Sequence, residues 1–258
     1  MTLTATIEGI GFWAPGLPGW DAARAFACEG RLPEGAPARP SPQLLPPNER
    51  RRAPDTVAVA LDVALAACAM AQRDARTLPS VFASMHGDLA ITDYMCATLA
   101  SDPAAVSPIR FHNSVHNAAA GYWTIGAGAM APATAISAFD ATFAQGLLEA
   151  VAQLAAGAEA VLLVGYDSAS TGPLAQVSAS QGLLGGALVL SRRDDGLRLA
   201  LALADGEADP SAGPLARHAA GNAMAPMLPL FDALAAGHAG CRLKAGPGRI
   251  LQVDLTND

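Results

Sequence analysis

The sequence predicts an α/β protein built on a mostly parallel, five-stranded mixed sheet that helices cover. Short apolar runs of strand length alternate with longer apolar segments of helical length, which is typical of strands separated by helices. Residues 185–192 and 197–205 are the exception, because the turn between them predicts an antiparallel pair at the sheet edge. Apolar residues make up 52% of the 258 residues and charged residues 15%, so we expect a large buried core.

The predicted elements follow one another in the order that such a layered sheet requires. Clusters of glycine and proline bound most of them, because these residues favour turns over element interiors. The elements are a strand at 3–9, a short helix at 20–28, a proline-rich surface segment at 30–49, an apolar core helix at 55–72, a strand at 80–88, a helix at 89–100, a strand at 134–138 with the helix after it, a strand at 158–168, the antiparallel pair, a helix at 225–236 and a strand at 248–255.

Charge and composition argue against several classes of function. The formal net charge is −7 and the cationic run at 50–52 has no counterpart of similar size, so no nucleic-acid partner is expected. The first residues lack the basic start of a signal peptide and no apolar run reaches membrane-spanning length, which predicts a cytoplasmic protein. The cysteines, namely Cys28, Cys68, Cys96 and Cys241, are expected to be buried, reduced thiols.

One stretch has the strand–turn–helix pattern of a catalytic turn but lacks a nucleophilic side chain. In TAISAFDATFAQGLLEA, residues 134–150, small and β-branched residues break into an amphipathic helix. The first residues of such a helix often hold a nucleophile, because the helix N-terminus stabilises an anion. Phe139 stands at that place, and a phenyl ring has no ionisable atom with which to attack a thioester.

A polar cluster precedes that strand in FHNSVHN, which contains His112, Ser114, His116 and Asn117. Two histidines four residues apart could bind a metal, and a serine near a histidine could serve a hydrolase. Neither is favoured, since the segment has no carboxylate and the chain has no GxSxG elbow. The preferred interpretation is that these side chains hold a loop in place and contribute to a subunit interface. At 86–88, similarly, we favour a helix cap by Asp88 over an active site.

Four stretches together resemble the N-terminal half of a β-ketoacyl synthase, an enzyme of the thiolase fold. They are IEGIGFWAPG, SPIRFHNSVHNAAAGYWTIGAG, TAISAFDATFAQGLLEAVAQLAAGAEAVLLVGYDS and GGALVLSR. The resemblance is strongest to the chain-length-factor-like subunits that accompany active ketosynthases in bacterial aryl-polyene, type II polyketide and fatty-acid pathways. It implies a thiolase-like half-fold in one domain of residues 1–258, with the half itself at 1–205 and a shortened C-terminal extension at 206–258.

The departures from that family lie at its catalytic positions. The family's nucleophilic cysteine aligns with Phe139, and neither of its two C-terminal histidine motifs is present, since GHAG at 237–240 lies too early. Condensation requires a thiolate and an oxyanion hole, so the resemblance implies a subunit with no catalytic residue. It implies a heterodimer with an active β-ketoacyl synthase, whose acyl tunnel this chain shapes. An acyl carrier protein is a further partner, and no cofactor or metal is expected.

The resemblance also implies where the two subunits meet. In the family, equivalent strands lie side by side across the two-fold axis, and the small residues of TAISA would permit that close approach. The expected tunnel and interface residues are Phe111, His112, Ser114, His116, Asn117, Tyr122, Ala135, Ser137 and Phe139. The Phe139 ring is expected either to fill a cavity in its own chain or to point into the partner's tunnel.

Two other functions stay open from the sequence alone. The chain could be a diverged acyltransferase or hydrolase that uses His116 or Cys96. It could also be a stand-alone module that binds acyl groups or a carrier protein, with the arginines at 50–52 steering the carrier protein's acidic surface. The leading hypothesis adds a structural expectation: a half-fold should expose apolar surface that another subunit buries.

Overall fold

A single mixed sheet with helices packed on it forms the framework of the protein. The computed structural model describes residues 3–210 and 212–257. The strands are β1 (Leu3–Trp13), β2 (Ser80–Ala83), β3 (Ala133–Ile136), β4 (Ala160–Asp167), β5 (Leu184–Ser191), β6 (Leu197–Asp205), β7 (Gly240–Gly246) and β8 (Arg249–Asn257). The helices are α1 (Trp20–Glu29), α2 (Pro47–Arg52), α3 (Asp55–Met70), α4 (Leu89–Ser101), α5 (Pro108–Asn113), α6 (Ala118–Ala127), α7 (Thr142–Ala155), α8 (Pro214–His218) and α9 (Leu228–Ala236).

The sheet differs from the predicted one in size and direction. It has eight strands in the order β3-β2-β4-β5-β1-β6-β8-β7, so the prediction of five is wrong. Only the pairs of β2 with β3 and with β4 are parallel, and the other pairs between described strands are antiparallel. The α/β class and the helical cover are as expected, whereas the mostly parallel sheet is not.

The predicted antiparallel pair of β5 and β6 is also wrong, because β1 lies between them. Thr6 of β1 is opposite Ser191 of β5 on one side and Arg198 of β6 on the other. The strand continues to Trp13 rather than ending near residue 9. Gly9 and Gly11 therefore lie inside a strand, where they let β1 pack directly on the backbone of α3.

The sheet curves around α7. This helix contacts β2 and β4 near one end of the strand order and β7 at the other end. In a flat sheet β4 and β7 would be five strand spacings apart, roughly 24 Å, which is more than the 10–12 Å diameter of a helix. Because one helix reaches both, the strands of the C-terminal extension fold back over it.

The C-terminal extension covers α7 and supplies much of the core. The side chain of Gln145 donates a hydrogen bond to the carbonyl oxygen of Ala245 at 2.8 Å, and Asp140 forms an ion pair with Lys244. Leu243 and Phe231 of the extension lie in the same buried cluster as the apolar face of α7. The chain therefore covers the apolar face of α7 itself, and its exposed apolar side chains lie elsewhere.

Candidate functional site

The turn between β3 and α7 holds Phe139 in an unusual backbone conformation. Phe139 has a φ of 51°, the left-handed region that a bulky residue rarely adopts. The hydroxyl of Thr142 accepts a hydrogen bond from the Ala138 amide at 2.9 Å and donates one to the Phe139 carbonyl at 2.5 Å. These two bonds fix the turn. The strained strand-to-helix geometry of a nucleophile elbow is thus present with a phenyl ring in it.

The ring of Phe139 points away from its own chain. It is 79% exposed, so it does not fill a cavity of this protein. Ser137, two residues earlier, donates its hydroxyl hydrogen bond to the carbonyl of Met85 at 2.7 Å. The residues of the turn therefore present an exposed apolar group, and the neighbouring hydroxyl ties the turn to the loop after β2.

A buried polar cluster lies beneath that loop, at the carboxyl ends of β2 and β4. The carboxyl group of Asp167 is completely buried and accepts hydrogen bonds from the Ser84 hydroxyl at 2.7 Å and the Met85 amide at 2.9 Å. His86 Nδ1 lies 3.5 Å from the same carboxyl group. His86 Nε2 is buried and has no hydrogen-bond partner among the described residues.

Burial controls the charge of this cluster. It raises the pKa of Asp167 to about 7, although the donated hydrogen bonds act in the opposite direction. It also lowers the pKa of His86, and the adjacent His116 lowers it further. A carboxylate at 3.5 Å would favour the imidazolium, but a carboxyl group that itself retains its proton exerts little of that effect. Below about pH 7 the Asp167 carboxyl group therefore favours its protonated, uncharged form, and burial favours the neutral imidazole of His86.

Sequence reasoning missed Asp167 as part of a site. In the sequence, Asp167 is a single carboxylate at the end of the otherwise apolar strand AVLLVGYD. A charge buried there needs hydrogen-bond or ion-pair partners. Its partners Ser84 and Met85 come from a strand end more than 80 residues earlier, and no local pattern connects them. The cap at the adjacent helix was predicted correctly, since Asp88 accepts a hydrogen bond from the amide of Ile91.

The polar side chains of FHNSVHN contact different parts of the protein and do not form one cluster. His112, near the end of α5, contacts the Tyr122 ring edge-to-face with the centroids 6.1 Å apart. His116 Nε2 lies 2.8 Å from the carbonyl oxygen of Ser84, which requires that nitrogen to be the donor. Ser114 donates to the Phe111 carbonyl at 2.8 Å, and Asn117 precedes α6 without a side-chain capping bond.

This arrangement offers no support for a metal site or a hydrolytic pair. Within residues 3–210 and 212–257, no group of three potential metal-ligating side chains comes together. Cys96 is exposed on α4, and none of the described hydrogen bonds joins it to His116. Cys28 is exposed as well, so the expectation that all cysteines are buried holds only for Cys68 and Cys241. No described helix is long and apolar enough to cross a membrane.

Exposed apolar side chains, together called the exposed apolar surface, lie in the turn and in the segment before β3. Large apolar side chains normally avoid such exposure in an isolated protein when they cluster. The exposed members and their exposed fractions are Ile109 (58%), Phe111 (62%), Val115 (48%), Ile125 (79%), Met130 (95%) and Phe139 (79%). Five of the six come from residues 109–130, which connect α5, α6 and the start of β3.

The edge of β3 is open as well. The carbonyl group of Pro132 accepts a hydrogen bond from the amide of Ser80 at 3.0 Å, and that of Ile136 accepts one at 3.2 Å from the amide of Ser84, just after β2. Because main-chain groups alternate in direction along a strand, the amide and carbonyl groups of Ala133 and Ala135 point to the other side. β3 is the terminal strand of the order, so this side faces no other described strand.

The sequence model of the β-ketoacyl synthase N-terminal domain matches residues 23–248 of the chain. The protein belongs to the β-ketoacyl synthase family. Phe139, which the resemblance in the sequence aligned with the family's catalytic cysteine, has no thiol. A search of curated protein sequences gave no match.

Solved structures share the fold of this β-ketoacyl synthase family member. A ketosynthase, ApeO, in complex with its chain length factor, ApeC, from Xenorhabdus doucetiae has a TM-score of 0.76 at 23% identity, over 98% of this chain and 99% of that one. The complex AntDE:AntF, a type II polyketide acyl carrier protein with its ketosynthase, has a TM-score of 0.74 at 12% identity, over 100% of both chains. A β-ketoacyl synthase from Burkholderia phymatum has a TM-score of 0.58 at 15% identity, over 93% of this chain and 71% of that one. The thiolase-like fold that the sequence predicted is therefore confirmed.

Proposed function

We propose that the protein is a non-catalytic, chain-length-factor-like subunit that pairs with an active β-ketoacyl synthase and shapes its acyl tunnel. The observation that carries this proposal is Phe139, whose exposed ring occupies a retained elbow geometry. Maintaining a strained conformation costs on the order of 1–2 kcal/mol for a residue other than glycine. We propose that contacts between the ring and the partner chain offset this cost.

Similarity to a complex that contains a chain length factor supports the same proposal. The chains matched in the two ketosynthase complexes are covered almost completely, whereas only 71% of the Burkholderia phymatum synthase is covered. The matched chains in the complexes thus have about the length of this one and are shorter than that synthase. One of those complexes contains a chain length factor by its description, and the proposal assigns that type of subunit to this protein.

The open edge of β3 supplies a mode of pairing. The outward amide and carbonyl groups of Ala133 and Ala135 can form main-chain hydrogen bonds to a strand of a second subunit. Both side chains are methyl groups, so they permit a close approach. The exposed apolar residues Phe111 and Phe139 would then be buried against the partner, and we propose that they reach the acyl tunnel there.

The remaining expected tunnel and interface residues divide into two groups. His116, Ser114 and Ser137 use their polar atoms on the backbone of their own chain, so we propose that they support the interface rather than contact the acyl chain. His112, Asn117 and Tyr122 lie on α5, before α6 and on α6, beside the exposed apolar surface. We propose that these three border the interface.

We also propose a cytoplasmic complex that receives acyl groups from a carrier protein. In α2, Arg50 is held by the carbonyl of Leu45, while Arg51 and Arg52 are exposed. These cations can steer an acidic carrier protein in a chain whose overall charge is negative. A bound carrier protein in the AntDE:AntF complex supports this part of the proposal.

The test is association with a ketosynthase from the same genome, measured by sedimentation of co-expressed chains. Wild type is expected to give an equimolar heterodimer. The variant Ala135→Asp should weaken the heterodimer, because it would bury an unpaired carboxylate. The matched control is Ala239→Asp, in the exposed loop before β7, which should leave the heterodimer intact. Equal association of the two variants would contradict pairing through β3.

A further inference from the structure

Two adjoining cavities lie beside α2 and α5, and Arg52 and Ile109 line both of them. The first has a volume of about 470 Å³ and the second about 770 Å³. Both volumes fall within the range of about 300–1,000 Å³ that is usual for sites of small organic ligands. Phe139 lines neither cavity. Together the two form one groove that runs from α6 past α2 toward the end of β1.

The smaller cavity is mainly apolar, and Glu49, Arg52 and His112 are its charged and polar lining residues. Leu45, Pro108, Ile109 and Ile125 contribute aliphatic surface, and the Tyr122 ring contributes an aromatic wall. Ile109 and Ile125 are 58% and 79% exposed in the isolated chain, so a ligand in this cavity can cover part of their apolar surface. Removing such surface from water contributes roughly 25 cal/mol per Å².

The larger cavity is cationic in a chain whose net charge is −7. Four arginines and two aspartates line it. Both carboxylates are already engaged, since Asp55 forms an ion pair with Arg39 at 2.5 Å and Asp88 caps α4 while accepting a hydrogen bond from Thr56. The other three arginines, Arg51, Arg52 and Arg110, have no carboxylate partner among the described residues.

These cations are accessible and partly held in place. The Arg110 guanidinium stacks 3.9 Å from the centroid of the Tyr94 ring, which orients it while leaving its charge uncompensated. Trp13, a further lining residue, is 2% exposed, and its indole N–H donor has no partner among the described residues. A cavity with uncompensated arginines is suited to an anionic group.

We infer that this groove binds an amphipathic oxyanion, with its apolar body in the smaller cavity and its carboxylate or phosphate head at Arg52 and Arg110. Arg52 is central because it lines both cavities and so lies where the body meets the head. An arginine fork matches either head group in a bidentate geometry. The inference does not rest on the proposed pairing with a ketosynthase.

The test uses a decanoic acid with a diazirine at its apolar end, cross-linked to the full chain in whichever form it is purified. The labelled peptide is identified by mass spectrometry. Labelling is expected at residues 108–126, and decanoic acid or decyl phosphate should compete for it more strongly than methyl decanoate, which has no charge. The stronger of the two competitors identifies the head group.

Two variants of exposed arginines make the test specific to the groove. Arg52→Gln should raise the probe concentration for half-maximal labelling about tenfold, the effect of losing a hydrogen bond to a charged group. Arg24→Gln, on α1, should not change it. The inference is overturned if methyl decanoate competes as well as the acid, if labelling lies outside the groove, or if the two variants label alike. None of these results changes the expected outcome of the heterodimer measurement, so either proposal can be contradicted while the other stands.

Discussion

At the scale of single residues, Phe139 combines an unfavourable backbone conformation with an exposed ring. Replacing it with glycine removes the steric penalty of the left-handed region and loses little burial in the isolated chain. We expect Phe139→Gly to increase the free energy of unfolding by about 0.5–1 kcal/mol, measured by chemical denaturation. The same variant should bind the ketosynthase more weakly, because the apolar ring is lost.

Phe111→Ala provides the comparison for that prediction. Phe111 is 62% exposed but lies in α5, where its backbone is not strained. Its replacement should change the stability of the isolated chain by less than about 0.5 kcal/mol. A decrease in stability for Phe139→Gly would mean that the ring is part of the core of this chain, which would contradict its proposed role at the partner's tunnel.

Asp167 predicts a pH dependence of stability. Burial raises its pKa from the ordinary 3.8 to about 7. Between about pH 4 and pH 7 the unfolded chain has therefore released a proton that the folded chain still holds, so the free energy of unfolding falls as pH rises through this window and levels off above it. The lowered pKa of His86 has the opposite effect, because the unfolded chain then binds the proton more strongly.

The difference between wild type and Asp167→Asn isolates the carboxyl group. The variant is expected to be less stable overall, since its amide cannot accept both hydrogen bonds, but it should lose less stability than wild type between about pH 4.5 and pH 7.5. Denaturation curves at several pH values measure this slope. Parallel slopes for the two proteins would contradict a raised pKa at Asp167.

At the scale of elements, the contact between β1 and α3 depends on two glycines. A Cβ atom at Gly11 would lie 2.0 Å from the carbonyl oxygen of Val63, a backbone atom that cannot move without distorting α3. We expect Gly11→Ala to destabilise the fold by about 3 kcal/mol or more, or to prevent folding. Gly19→Ala is the control, because nothing lies within 4 Å of the added methyl group there. Similar thermal stabilities of the two variants would contradict this packing.

These glycines also explain where sequence reasoning failed. Gly9 and Gly11 indicated the end of a strand, because glycine usually marks a turn, and the hairpin between β5 and β6 followed from their proximity in sequence. The structure uses the glycines for close approach instead, and β1 enters between β5 and β6. Most helix positions, such as α3 and α4, were predicted correctly because their apolar runs and starts are local signals.

β7 was missed for a different reason. Gly237 precedes this strand and Gly240 begins it, both with positive φ values, and these glycines indicated a loop in the sequence. The alternation of buried Cys241, Leu243 and Ala245 with exposed Arg242 and Lys244 is the strand signal that was available. Short strands with small residues produce only a weak form of this pattern.

At the scale of the whole molecule, the C-terminal extension is an integral part of the core. Leu243 is 1% exposed and belongs to the cluster that contains the apolar face of α7. Leu243→Ala should therefore cost about 2–4 kcal/mol of stability. Its neighbour Lys244 makes an exposed ion pair with Asp140, so Lys244→Ala should cost less than about 1 kcal/mol. Equal, small effects in thermal denaturation would mean that the extension is only loosely attached.

What the sequence could predict depends on whether the signal is local or arises from long-range packing. The turn at Phe139 could be recognised because a strand, a turn and a helix follow one another within one segment. The buried cluster of Asp167 and His86 could not, because it joins the ends of two strands that are distant in sequence. The groove beside α2 depends on the same kind of long-range packing, since it brings together α2, α5 and α6.

The most direct test of the proposed function is condensation of acyl and malonyl thioesters by the co-purified complex of this chain with its ketosynthase. Two preparations are compared, one with the ketosynthase's nucleophilic cysteine intact and one with that cysteine replaced by alanine. We expect an equimolar complex that is active in the first preparation and inactive in the second, because Phe139 cannot act as a nucleophile. Condensation that persists without the ketosynthase's cysteine, or two chains that do not associate, would contradict the proposed function.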